Sequence, residues 1–362
     1  MSDYMKEFYF GSLVWDKKTY DVFVDKPIIR FKSVQEMLDQ TKYESKGKFR
    51  LDVIGVLKKA RFNRILESNP NIDHILNSLG FNQIDELCRL CYSPVLDNVI
   101  DKNSNEKIGH THANVELKAE SRKLFFNKPF IFNKDVYTGI EFKGCGKEGG
   151  PIEIDNFRRI GNTCIDTGPE GGAYASEVVQ EAKIQGELNK KGKTNPLQIV
   201  AFELPIKVVS PYFGEQQLGL LIRGVKSSFR ISELLDTAND VISTLNISAK
   251  EYCEKVTENL FKDLKLIFQA GYFHNSPNDS NVDGSGGITD LGDILPLENG
   301  EQIYYNLLNF KRTANLLWYY TTRKYNEKYV LDKMTEVFET SKYDIKGISN
   351  CLIRHIKSNI KK

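Results

Sequence analysis

An amphipathic helix that runs straight into a polar loop broken by glycines is the feature that most constrains this chain. Ser248 and Glu251 form an S-x-x-E start signal, and Cys253, Val256, Leu260, Leu264 and Ile267 recur at helical spacing, which predicts a helix over 248–269. The next residues read GYFHNSPNDSNVDGSGGITDLGD. Within them the Asp283-Gly284 and Gly286-Gly287 pairs predict a tight hairpin that brings Asn281 near Asp290. An amide oxygen and a carboxylate converging from two arms are hard oxygen donors of the kind magnesium takes.

Upstream the texture is different. From about residue 107 the chain shows short β-type runs, KLFFN, PFIF and TGIEFKG, punctuated by Gly and Asn. A helical segment follows at 173–189, with Ala175, Val178, Val179 and Ala182 at helical spacing and TGPEGG as its entry. IVAFELPIKVV and QLGLLIRGV then resume the strands, and a second long helix is marked by Ile303, Leu307, Phe310, Ala314 and Leu317. A sheet with one helix, followed by a helical half, predicts an α+β chain. On TGIEFKGCGK, Ile140 and Phe142 alternate with Glu141 and Lys143, so Lys143 projects from one face of a strand. Glu181, on the helix that follows, is its expected ion-pair partner.

Composition narrows the function classes. Fifty basic against 48 acidic residues leave a formal charge of +2, which provides no global field for nucleic acid. No stretch reaches the about 18 uninterrupted apolar residues of a membrane span, and the first residues lack a signal or transit pattern, so a cytoplasmic protein is expected. Six cysteines at irregular spacings do not make a disulfide framework. Cys88 and Cys91 read as helix cysteines, His110 and His112 lack further ligands at zinc spacing, and Gly192-Lys193-Thr194 lacks the glycine of a P-loop at the required distance. His274 reads as a buried histidine that ties the loop after the long helix. The basic end IRHIKSNIKK reads as a solvated helix terminus.

The loop after the long helix resembles the catalytic segment of protein kinases. His274-Asn275-Ser276 stands in the place of H-R-D, with Ser276 where the kinase has its aspartate; Asn281 follows five residues later and Asp290-Leu291-Gly292 stands for D-F-G. The stretch LIRGVKSSFRISEL, with Arg223 and Arg230, resembles the R-V-A-x-S-x-I-R segment of the selenoprotein O family, kinase-fold enzymes that transfer AMP to protein hydroxyls. GHTHA at 109–113 is similar to that family's G-H-Q-F-G, EFKGCGK to its L-K-G-A-G-R, VVQEA to its I-R-E-F, and HNSPNDSN to its H-G-x-x-N-x-D-N. The resemblance covers about residues 109–295, as separate motifs.

The resemblance implies a bilobal protein-kinase-like fold: an N-terminal extension over 1–105, a small β-rich N-lobe over 106–229 and a helical C-lobe over 230–362. It implies ATP and Mg²⁺, with Mn²⁺ as an alternative ion, and a protein acceptor. Lys143, Arg223 and Arg230 would hold phosphates, Lys147 would be the basic residue after the G-x-G, and Glu181 would orient Lys143. Asn281 and Asp290 would bind the metal. The family's acid immediately before the metal-binding asparagine is Ser280 here, with Asp279 one place earlier as its substitute. A phosphotransferase, and a nucleotide-binding module without catalysis, are the alternative functions.

Overall fold

The structure is a computed structural model that describes residues 10–23, 62–85, 87, 100–101, 106–107, 123–126, 128–144, 157–160, 163–166, 173–210, 214–234 and 237–339. The chain divides into two units, Met1–Gly186 with Leu197–Ser228, and Glu187–Pro196 with Phe229–Lys362.

The first unit is built on a five-stranded antiparallel sheet. Hairpin strands β1 (Phe10–Trp15) and β2 (Lys18–Phe23) precede strand β3 (Arg64–Ser68) and helix α1 (Ile72–Leu79). Then come β4 (Lys123–Phe126), the short pair β5 (Phe130–Phe132) and β6 (Asp135–Tyr137), and β7 (Gly139–Lys143). Helix α2 (Ala175–Lys190) and the long strands β8 (Leu197–Ser210) and β9 (Gly214–Val225) follow. The strand order is β3-β8-β9-β7-β4. The β-type runs of the sequence fall on these strands, and IDHILNSL forms α1.

Strand β3 lies within the region read as an N-terminal extension, yet it is an edge of the main sheet, paired with β8 from Val200↔Ser68 to Glu203↔Arg64. The β1 hairpin is also tied to this unit. Val14 N donates to the Lys226 carbonyl at 2.7 Å and Ser228 N to the Ser12 carbonyl at 2.9 Å.

The registers Ala201↔Leu221 and Leu221↔Lys143 put these three residues on one sheet face. Residues two away along the same strands, Gly219, Arg223 and Glu141, share that face. Helix α2 lies against it: Val178 and Ala182, with Ala173 just before the helix, pack on Ala201 and Leu221. Gly219 is what allows this approach, since a Cβ there would sit 2.4 Å from the Val178 methyl and 2.8 Å from the Ala175 Cα. The opposite face buries Ile140, Phe142, Val200, Phe202, Leu220 and Ile222. Each such side chain contributes about 1.5–3 kcal/mol on leaving water.

The second unit is mostly helical: α3 (Ala238–Leu245), α4 (Ala249–Gln269), α5 (Gly300–Thr322) and α6 (Glu327–Glu339), with a two-stranded ribbon of β10 (Tyr272–His274) and β11 (Ile294–Pro296). Ser248 caps α4, accepting from Glu251 N at 3.1 Å. The predicted stripe of α4 is fully buried, and α4 packs on α5 and α6. Helix α5 starts in a complete capping box: Asn299 accepts from Gln302 N, and Gln302 Oε1 accepts from Asn299 N, both at 3.2 Å. The apolar residues that predicted α5 line its buried side. Residues Glu187–Pro196, read from sequence as part of the first lobe, cluster instead with this unit. Lys193 and Asn195 within them are bonded to Asp263 and Asp283.

Cys253 sits on the α4 stripe with no exposed surface, and burial pushes its thiol up to about 12. At pH 8 the thiolate fraction is then about one in ten thousand. Iodoacetamide is therefore expected to leave Cys253 unmodified in native protein and to alkylate it after unfolding in guanidinium, as read by peptide mass mapping. Native labelling at the unfolded rate would contradict this burial.

Candidate functional site

In the first unit four charged side chains form a buried chain on the sheet face under α2. Lys143 Nζ donates to Glu181 Oε2 at 2.6 Å, and Arg223 Nη1 donates to the other oxygen, Oε1, also at 2.6 Å. Arg223 Nε and Nη2 donate to Glu141 Oε1 at 2.7 and 2.5 Å. The order is Lys143, Glu181, Arg223, Glu141, alternating in sign and summing to zero. Local structure accounts for each position. Glu141 and Lys143 are two apart on β7, Arg223 lies directly across from Glu141 on β9, and Glu181 sits one turn beyond Val178 on α2. The side chains of Arg223 and Glu181 are fully covered, and that of Lys143 is 7% exposed. Charges so deeply buried persist only when paired.

The sequence thus places Lys143 and Glu181 together, and the structure brings them together. Arg223, expected to hold phosphate, has an enclosed guanidinium that is bonded to the Glu181 and Glu141 carboxylates. Glu141 was not singled out as a site residue. Its signal was its place two residues before Lys143 on a strand whose alternate residues are apolar.

In the second unit the loop after β10 forms the predicted hairpin. Val282 bridges Ile288, Asp283 N donates to the Gly287 carbonyl at 3.0 Å, and Thr289 N donates to the Asn281 carbonyl at 2.9 Å. Asn281 therefore stands across from Thr289, the neighbour of Asp290. Gly286 makes the turn at φ +90, where a Cβ would also lie 2.3 Å from the Val256 carbonyl oxygen. Residues Phe229–Ile231 add a third arm: Gly284 N donates to the Phe229 carbonyl and Ile231 N to the Val282 carbonyl, each at 2.9 Å.

Asn281 is buried, and its Nδ2 donates to the Ser276 carbonyl at 2.7 Å. That bond turns the carboxamide oxygen away from Ser276, as a metal ligand requires. Asp290 is half-buried. Arg230 is buried, donates to Thr289 Oγ1, and feels three carboxylates. Burial pulls its pKa below the ordinary arginine value, while Asp283, Glu233 and Asp290 pull the other way. Ser280 is exposed and its hydroxyl donates to Asn278 Oδ1 at 2.5 Å. Asp279 begins the 3₁₀ turn Asp279–Asn281, in which residues two apart diverge by about 120°. Its carboxylate is felt by the Tyr320 phenol, whose pKa is raised by burial first and by Asp279 second. His274 is fully buried. Its backbone N–H and carbonyl are bonded to Asn306 at 2.8 and 2.7 Å, and its Nδ1 accepts from Ser276 N at 3.2 Å.

Lys147, the 109–113 motif with His110 and His112, TGPEGG, Cys88, Cys91 and the basic C-terminal run lie outside the described residues. Among the described residues no group of three or more His, Cys, Asp or Glu side chains is placed to hold a metal ion, and no helix is long and apolar enough to cross a membrane. The Asn281 and Asp290 pair offers one carboxamide and one carboxylate, a donor set that suits an ion completing its shell with water and phosphate oxygens. No family model matches the chain, and no curated protein matches it.

Proposed function

We propose that this chain is a kinase-like, Mg²⁺-dependent nucleotidyltransferase that moves AMP from ATP to a hydroxyl side chain of a protein. The observation that carries the reading is Lys143, an ammonium on a sheet strand, almost fully buried and fixed by a buried carboxylate of the following helix at 2.6 Å. A lysine kept charged at such desolvation cost is suited to phosphate. Support also comes from the hairpin that sets Asn281 across from Thr289, and from the motifs similar to those of the selenoprotein O family.

In this reading Lys143 and Arg230 engage phosphate oxygens, and Glu181 with Arg223 orients Lys143. Asn281 and Asp290 hold the ion, which supplies charge neutralisation at the phosphates. The acceptor oxygen bonds to the α-phosphorus as the bond to the pyrophosphate oxygen breaks, pyrophosphate leaves, and the hydroxyl proton passes to Asp279 or to water. Positioning and charge stabilisation dominate such transfers, so loss of a carboxylate at Ser280 does not remove the main contributions. A second reading, a nucleotide-binding interaction module, is favoured by one observation: neither Ser276 nor Ser280 presents an acid, and the Ser280 hydroxyl is turned to Asn278.

The test is incubation with Mg-ATP labelled at the α or at the γ phosphate. Label from the α position is expected on protein, reduced at least a hundredfold in Asp290→Ala and in Lys143→Ala, with Asp279→Ala showing whether that acid takes the proton. Transfer of γ label alone identifies a phosphotransferase, binding without transfer identifies the silent module, and an unchanged rate in Asp290→Ala refutes the metal assignment.

A further inference from the structure

We infer that Glu141 is a positioning residue for Lys143, acting through Arg223 and Glu181. The inference rests on the reading of Lys143 as a phosphate-binding group. Its starting point is the division of one carboxylate between two cations: Glu181 gives Oε2 to Lys143 and Oε1 to Arg223. Arg223 is the stronger competitor for that carboxylate, since its planar fork can take both oxygens at once while an ammonium makes point contacts. What keeps Arg223 to a single oxygen of Glu181 is the Glu141 carboxylate, which receives both Nε and Nη2.

Glu141 and Arg223 are cross-strand partners on adjacent antiparallel strands, so their spacing is fixed by the backbone ladder. Both are buried, Arg223 fully, so water does not compensate a missing charge. With Glu141 neutralised, the guanidinium turns toward Glu181 and draws it off the ammonium. Lys143 then keeps its place on the strand and loses the group that aims it. Removing Arg223 together with the Glu141 charge deletes the competitor as well, and leaves the Glu181 carboxylate to Lys143.

This gives an ordering that a purely structural role does not give. Mg-ATP affinity is measured by titration calorimetry on full-length protein, well below the unfolding midpoint, for wild type, Glu141→Gln and the double variant Glu141→Gln with Arg223→Gln. Glu141→Gln is expected to weaken binding about tenfold, and the double variant to recover to within about threefold of wild type. Wild-type binding with an unchanged Glu141→Gln affinity overturns the inference alone. So does a double variant no better than the single one, which would make Arg223 itself a phosphate contact. Wild type that binds no Mg-ATP overturns the nucleotide reading and the inference with it. If Glu141→Gln does not fold, the double variant decides: near-native affinity supports the compensation, and lost affinity overturns it.

Discussion

Glu181→Ala is expected to lower the stability of this protein by about 3–5 kcal/mol, the range for removing one partner from a buried ion pair. Two cations lose a carboxylate at once, since Lys143 and Arg223 each donate to one oxygen of Glu181 at 2.6 Å. Neither can turn to bulk water, because Arg223 is fully covered and the Lys143 side chain is 7% exposed. Arg223 retains Glu141. Glu181→Gln keeps the volume and one acceptor, yet its amide group must face one of the two cations with N–H donors, and it is expected to recover less than half of the loss. Urea unfolding monitored by circular dichroism gives the measurement: the midpoint falls while the slope stays as in wild type. A loss below about 1 kcal/mol, the range of an exposed pair, would show that this carboxylate is not the buried hub described above.

The parts of this arrangement that were legible in the sequence are those fixed by local period. The α4 stripe from Cys253 to Ile267, the α5 stripe from Ile303 to Leu317 and the glycines of the hairpin each encode a local geometry, and each appears in the structure. The pairing of Lys143 with Glu181 was also legible, because a strand and the next helix in the chain are neighbours by topology. Alternation on β7 told which residues share a face and said nothing of what covers it. A charged face on an interior strand reads as wet, whereas α2 seals it and turns Glu141 from a surface charge into a buried counterion. The carboxylates bonded to Arg223 escaped for a related reason: a motif fixes its position on β9, but Glu141 and Glu181 come from β7 and α2. Strand β3 escaped because Arg64–Ser68 is exposed to half-buried, with no apolar face to announce it; only the ladder with β8 defines it. Lys193 was weighed as the end of a phosphate loop, and its partner Asp263 lies on α4, far along the chain. Burial pushes the Asp263 carboxyl up while Lys193 pulls it down, a balance set wholly by tertiary contact.

Asp283 carries the second large effect, and its consequences reach further than its position at a turn suggests. The side chain is fully buried, and Oδ1 accepts from Ser285 N at 2.9 Å, Ser285 Oγ at 2.7 Å and Gly287 N at 3.0 Å, while Oδ2 accepts from Asn195 Nδ2 at 2.6 Å. Asp283→Ala leaves two backbone N–H groups, the Ser285 hydroxyl and the Asn195 amide without this acceptor, although the amide keeps Ser285 Oγ at 3.2 Å; at about 1–3 kcal/mol for each donor left unsatisfied, a loss of at least about 3 kcal/mol is expected. Asp283→Asn separates charge from shape. Its oxygen can serve Ser285 and Gly287, but its amide nitrogen then meets the Asn195 amide donor to donor, so an intermediate loss follows. One arm of this hairpin starts at Asn281 and the other leads, through Thr289 opposite it, to Asp290. A loosened turn therefore unsettles the proposed metal donors without touching either. Mg²⁺-dependent ATP binding is expected to fall more than tenfold in Asp283→Ala, and by less in Asp283→Asn, when both are assayed at a temperature where they remain folded. Equal ATP affinity in the three proteins, together with the expected drop in unfolding midpoint, would separate the hairpin's stability from the site and detach Asn281 and Asp290 from nucleotide binding.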